Sequence, residues 1–248
     1  MRFFLDFSYN GKQFHGWQRQ INATSIQQTM EECISIIQGT KISISGAGRT
    51  DRGVHAKQMI AHFDVNKLRL NKNDFIFKLN MLLPDSVHIK KIIPVKDDAH
   101  ARFNATSRTY KYYVSQIKDP FNYPFQYFLR EKLDYEKMNL AAAILIGNNN
   151  MKCFSKSNTS VNNYVCDIKE AFWEKTKNGA VFTITSNRFL RNMVRSIVGT
   201  LIEIGIEKKN IENLYKIINS QKRSNAGYSV PANGLFLTKV LYPQSIFI

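Results

Sequence analysis

The sequence predicts an α+β protein of two ferredoxin-like subdomains. Each has the order β-α-β-β-α-β, with largely antiparallel sheets joined into a continuous sheet, helices on the outer face and a central basic cleft. Three observations predict this. Strand-period and helix-period segments succeed one another in that order twice along the 248 residues. The length suits one large domain or two small ones, and the 44% hydrophobic content supplies a sizeable core. No low-complexity linker interrupts the chain, so the halves, 1–104 and 105–248, are expected to join through strands.

In the first half, RFFLDFSY (2–9) reads as a strand closed by the turn pair Asn10-Gly11. Ser25 and Gln28 have the spacing of a capping box. Behind them Ile26, Met30, Cys33, Ile34 and Ile37 fall on one helical face, and Gly39 stops the helix. KISIS (41–45) alternates as a short strand, and 46–57 is a glycine-rich charged loop. Met59, Ala61, Phe63 and Val65 alternate as the next strand. A helix near 72–83 ends at Pro84, and 86–95 is a strand.

In the second half, 107–116 reads as a strand and 134–146 as a helix running from Asp134 to Gly147. Strands at 164–175 and 180–186 are joined by the hairpin pair Asn178-Gly179. Helices are expected near 188–205 and 208–219. LFLTKVLY (235–242) is the last strand.

Charge narrows the partner class. Thirty-five Lys and Arg stand against 19 Asp and Glu, a formal net charge of +16. That excess favours nucleic acid, because phosphates attract it without regard to sequence. Cys33, Cys153 and Cys166 form no CxxC pair, and an odd number argues against a disulfide framework. The opening MRFFLDFSYNGKQF carries charges and no signal-peptide core, and no stretch reaches the roughly 20 apolar residues of a membrane span. A soluble, cytoplasmic protein is expected.

The stretch GAGRTDRGVHA (46–56) carries the most information. Its glycines allow a sharp turn and close approach to a ligand. Asp51 stands between Arg49 and Arg52, so a carboxylate and cations can share one site. A GxGxxG fingerprint would need Gly where Asp51 stands, and a P-loop would need Lys-Ser or Lys-Thr where Val54 and His55 stand. The zinc deaminase motifs are missing, and His55 and His62 lack a third ligand at metal spacing, so no metal is expected. Read on residues alone, the loop is either an anion-contacting turn with a carboxylate or a structural turn with a surface ion pair.

The string GRTDRGVHA resembles the signature of the tRNA pseudouridine synthase A family, GRTDxGVHA. The resemblance runs along nearly the whole chain. DFSYNGKQFHGWQRQ is similar to the family's opening motif, HARFNATSRTYKYYV (100–114) to its F-x-A-x-x-R-x-Y-x-Y segment, and FLRNMVRSIVGTLIEIG (189–205) to its MVR helix. NAGYSVPANGLFLTKVLYP (225–243) is similar to its closing motif. Arg52 stands where the family commonly has Ala, Ser229-Val230-Pro231 where Thr-Ala-Pro is commoner, and the Asn-rich segment 148–163 departs from the usual pattern.

The resemblance implies a cofactor-free isomerase acting on uridines 38 to 40 in the anticodon stem-loop of tRNA, as a homodimer. It makes Asp51 the catalytic carboxylate and Arg195 its guanidinium partner. A charge in the otherwise apolar run Phe189–Ile202 needs such a partner, although Arg188, Arg191 and Arg195 at i, i+3 and i+7 could also form a solvated face. Arg49 matches the base-flipping position and Tyr110 the tyrosine that meets the flipped uracil, with Leu235 lining the base pocket. Arg69, His100, Arg102, Phe103, Lys156 and Ser157 match RNA-contacting regions, and Arg108 adds to the cleft. Two rivals stay open: a pseudouridine synthase of broader RNA range, and a non-catalytic RNA-binding module of the RRM kind.

Overall fold

The computed structural model of the chain describes residues 1–157 and 161–248. Part of the Asn-rich segment, 158–160, lies outside the described residues. The chain forms two compact units: Met1–Thr106 with Leu237–Ile248, and Ser107–Phe236. The expected division after residue 104 placed 237–248 in the second half; those residues group with the first.

The first unit contains β1 (Arg2–Tyr9), α1 (Ile26–Gln38), β2 (Ser45–Gly46), β3 (His55–Asp64), α2 (Lys72–Leu82) and β4 (Val87–Val95). The strands run β4-β1-β3, with β2 on β3, and every pairing is antiparallel. Numbered within the unit this is the 4-1-3-2 order of a βαββαβ fold. The Phe-rich strand β1 is central, so Phe3, Phe4, Leu5 and Phe7 are all buried. Phe3, Phe63 and Phe75 stack in turn at centroid separations of 5.8 and 6.1 Å, which ties β1 and β3 to α2. Ile26, Met30 and Ile34 bring α1 into the same core. β3 is buried without alternation from Met59 to Phe63, as a strand covered on both faces must be.

The second unit contains β5 (Ser107–Ser115), β6 (Tyr127–Phe128), α3 (Tyr135–Ile144), β7 (Ile168–Thr176), β8 (Gly179–Ser186), α4 (Met193–Gly205), α5 (Ile211–Ser220) and the start of β9 (Leu235–Leu241). Its order β9-β5-β8-β7 repeats 4-1-3-2, with β6 added in parallel to β5. The α+β class with a mostly antiparallel sheet stands as expected. Trp173 and Phe182 pack at 5.1 Å across the β7–β8 hairpin, over a core that includes Met138, Phe154 and the apolar residues of α4.

Several local expectations are corrected. KISIS does not form a five-residue strand: only Ser45-Gly46 pair, although Ile42 and Ile44 are buried. The Ser25 side chain caps α1 by accepting from the Gln28 amide at 3.2 Å, but Gln28 spends its own side chain on Glu32, so the reciprocal half of the box is missing. Thr176 pairs with Gly179, which makes Lys177-Asn178 the hairpin tip. The helix expected from 188 begins only at Met193. Asn192 ahead of it is left-handed at φ 66°, and no helix geometry passes through such a residue.

Candidate active site

The 47–54 loop is held from below by the segment following β1. Asn10 caps a short turn at Gly11–Gln13. The Gly11 amide donates to His55 Nδ1 at 3.0 Å, which makes that nitrogen an acceptor. The Trp17 amide donates to the Thr50 carbonyl at 3.1 Å, and the Tyr9 and Thr50 hydroxyls lie 2.8 Å apart. Gly16, at φ +90°, passes so close that a Cβ there would come within 2.5 Å of the Thr50 carbonyl oxygen. At the loop's two ends the Ala47 amide reaches Ile60 and the Val54 amide reaches Asp51.

This clamp sorts the loop by exposure. Thr50, Val54 and His55 are buried, Asp51 is half-buried, and Arg49 and Arg52 are exposed. The loop therefore presents one carboxylate between two outward guanidinium groups on a backbone pinned to the core. Among the described residues no group of three His, Cys, Asp or Glu is arranged to hold a metal.

His62 and the HARF segment form a second cluster in the same unit. His62 Nδ1 accepts from the Ala101 amide at 3.1 Å, and its ring meets His100 at 4.5 Å. Burial, with Arg2 close by, lowers the His62 pKa to about 4, so it is neutral at pH 7. His100 Nδ1 accepts from the Arg102 and Phe103 amides, and burial lowers its pKa as well. Phe103 stands 75% exposed, with the His100 ring 4.2 Å away and the Arg102 guanidinium 5.7 Å from its centroid. An aromatic face and a cation are thus offered outward on a rigid base. Arg69 is exposed, and its guanidinium lies against Gly39 at the C-terminus of α1, the end of a helix that favours a cation.

The second unit carries Arg195, Tyr110, Leu235, Arg108, Lys156 and Ser157. Every residue of α4 is buried except Arg195 and Glu203. Arg188 and Arg191 precede the helix, so the three share no helical face; Arg191 is exposed, and Arg195 is a half-buried cation on a core helix. Its Nε donates to the Val230 carbonyl at 2.7 Å, and the Val230 amide donates back to the Arg195 carbonyl at 3.2 Å.

The three tyrosines of β5 separate by role. Tyr112 is fully buried and donates its hydroxyl to Pro231 at 2.9 Å, while Tyr113 packs edge-on against Phe236. Tyr110 is buried with its ring edge-on to Phe189 at 5.0 Å. Leu235 is buried at the start of β9.

Arg108, expected to add to the cleft, is buried and donates to the Asn187 carbonyl at 2.6 Å. The strand period places it on the same inward face as Tyr110, Tyr112 and Val114. Lys156 and Ser157 are exposed beyond the buried Ser155, with the Lys156 amide held by the Arg191 carbonyl at 3.0 Å. Thr50, Tyr9 and Val230 lie within the quoted motifs, but their supporting roles run through a carbonyl or a hydroxyl whose partners the sequence does not announce.

Each unit thus carries a polar group on a firm frame, a pinned loop carboxylate in the first and a half-buried guanidinium on a core helix in the second. Comparison with known proteins defines the class. The model of a family described as tRNA pseudouridine synthase matches residues 7–104 and 141–243. The chain belongs to that family. Among its relatives, the protein named tRNA pseudouridine synthase A of Parabacteroides distasonis is 48% identical, over 99% of this chain and 98% of the relative. The proteins of the same name from Porphyromonas gingivalis and Acetivibrio thermocellus are 47% and 39% identical, over 100% and 96% of this chain and 99% and 98% of their own.

Proposed function

We propose that the protein isomerises uridine to pseudouridine at positions 38 to 40 of the tRNA anticodon stem-loop, with Asp51 as the catalytic carboxylate. The observation that carries the reading is the GRTDRGVHA loop, clamped so that Asp51 is half-buried between exposed arginines. The reaction breaks the bond from ribose C1′ to uracil N1, turns the base and joins C5 to C1′. The C5 proton is lost and N1 gains one, so atoms and electrons balance without a redox cofactor, metal or nucleotide. A carboxylate serves this chemistry as a nucleophile or base.

The carboxylate must remain ionised while a base closes over it. Desolvation raises a carboxylate pKa and a guanidinium opposes it; Arg195 has that role in this reading. Arg49 holds the target base out of the helix, Tyr110 packs on the extruded uracil and Leu235 forms the apolar wall of its pocket. Arg69, His100, Arg102, Phe103, Lys156 and Ser157 grip the RNA, mainly at phosphates. Arg108 adds to the cleft from β5, with one Nη held by the Asn187 carbonyl. The working protein is a cytoplasmic homodimer, since a second subunit doubles the basic surface offered to a long, bent substrate.

The test is to map pseudouridine in unmodified tRNA incubated with the protein alone, beside Asp51→Ala and Asp51→Asn. Product at 38 to 40 with chelator present, lost in both variants while tRNA binding persists, supports the reading. Binding without product in the wild type identifies an RNA-binding module, and product at many sites or in other RNAs identifies a broader synthase. Modification by the variants at the wild-type rate removes Asp51 from the mechanism.

A further inference from the structure

We propose that Arg223 is a positioning residue that orients the Arg195 guanidinium, through the segment 226–231. The proposal rests on the role given to Arg195 above. That segment has no regular secondary structure, yet it supplies the Val230 carbonyl that receives Arg195 Nε at 2.7 Å. An irregular stretch holds a guanidinium in one plane only if something holds the stretch.

Arg223 does so with its fork. One Nη donates to the Gly227 carbonyl at 2.9 Å and, more weakly, to Ala226 at 3.4 Å. The other donates to Ser229 Oγ at 2.9 Å. Ser229 Oγ also receives the Asn192 side-chain amide at 2.6 Å, and Asn192 is the left-handed residue at which α4 begins. The Gly227 amide donates to Thr200 Oγ1 at 2.8 Å, on the same helix. Gly199 lets the segment lie directly on α4, since a Cβ there would fall 1.9 Å from the Tyr228 carbonyl oxygen.

One cation thus links the start of α4, the segment on top of it and, through Val230, the side chain two residues inside that helix. Its planar fork matters, because a lysine has a single point of attachment and cannot span Gly227 and Ser229 together. With Nε committed to Val230, the geometry Arg195 offers a carboxylate is end-on, through Nη1 and Nη2. A tilt of the Val230 carbonyl turns that edge away without removing the charge.

The experiment compares Arg223→Lys, Ser229→Ala, Arg195→Lys and the double variant Arg195→Lys/Arg223→Lys with the wild type. Single-turnover rates and tRNA Kd are measured below each variant's melting temperature. Arg223→Lys is expected to slow the single-turnover rate by about 10–100-fold, the scale of a small misplacement of a catalytic group. Its Kd should stay within about threefold, and Ser229→Ala should show a smaller loss of the same kind. The double variant should be little slower than Arg195→Lys alone, because residues acting through one another are not additive.

A wild-type rate in Arg223→Lys, a loss confined to Kd, or a double variant showing the full product of both losses overturns the proposal. If Arg195→Lys itself reacts at the wild-type rate, the role given to Arg195 fails first, and that result is read independently of the Arg223 variants.

Discussion

Replacing Gly16 with alanine tests whether the segment beneath the 47–54 loop sets the loop's position. A Cβ at Gly16 would lie 2.5 Å from the Thr50 carbonyl oxygen and 3.2 Å from the Arg52 nitrogen, against an ordinary contact of 3.4 Å or more. Both neighbours are backbone, so no rotamer change relieves the clash and the loop must move by about 0.9 Å. The left-handed φ of +90° adds about 1–2 kcal/mol for a residue with a Cβ, and overpacking adds about 1–3 kcal/mol. The total of about 2–5 kcal/mol lowers Tm by roughly 5–20 °C in a chain of this length. Since Asp51 follows Thr50 directly, a shift approaching 1 Å should slow single-turnover pseudouridine formation by about 10²-fold. Gly147→Ala separates strain from displacement: its φ is +86°, but nothing lies within 4 Å of its Cβ. It should cost only about 1–2 kcal/mol and leave the rate unchanged. The assay is circular-dichroism melting followed by single-turnover kinetics at a temperature where both variants are folded. A Gly16→Ala protein with the wild-type rate, or a Gly147→Ala protein equally slow, would refute the reasoning.

The His62 pKa, lowered to about 4 from 6.5, makes the fold acid-sensitive. The unfolded chain binds this proton first, so stability is complete above pH 6.5 and falls as pH drops towards 4, by about 2–3 kcal/mol at pH 4.5. Urea midpoints between pH 7.5 and 4.5 should show a steeper fall in the wild type than in His62→Gln; parallel curves would sink the idea. Tyr112→Phe strips the Pro231 carbonyl of a buried donor at 2.9 Å, and should lower the urea midpoint by the equivalent of about 1–3 kcal/mol at constant m. Cys33, Cys153 and Cys166 are buried, and burial pushes the Cys153 and Cys166 thiols up to about 12 and 11. Alkylation at pH 7.5 should be negligible in the native protein and complete in guanidinium; rapid native labelling would contradict the packing.

The regular elements were legible because their periods are driven by burial. Ile26, Met30, Cys33 and Ile34 mark one face of α1, Gly39 closes that helix as a left-handed cap, Asp134 caps the start of α3, and β1 stops before Asn10-Gly11. What escaped was decided by tertiary contact. The run 188–192 has helical composition, but Asn192 is bound to Ser229 and held left-handed, so α4 starts late. KISIS has the strand period but pairs only at Ser45-Gly46. The Glu31 carboxylate instead accepts the Ile44 amide and the Arg19 guanidinium, satisfying that backbone with a side chain. In the candidate site, the carboxylate and its flanking arginines were readable as a motif. What holds them was not: the Thr50 and Val230 carbonyls and the close pass of Gly16 are backbone features, and the partners of the Arg223 guanidinium are set by the fold. Arg108 has one such backbone partner too, the Asn187 carbonyl, which no motif announces.

The return of Leu237–Ile248 to the first unit bears on how the chain is made. The Thr106 amide needs the Leu241 carbonyl, the Lys96 amide needs Ile246, and Val240 is met by the Gln58 side chain. During synthesis at about 5–20 residues per second, the first 106 residues emerge roughly 7–30 s before the strand that completes them. The amino-terminal half is therefore born unfinished, and a chain broken off before residue 237 lacks both most of its last strand and the closure of its first unit.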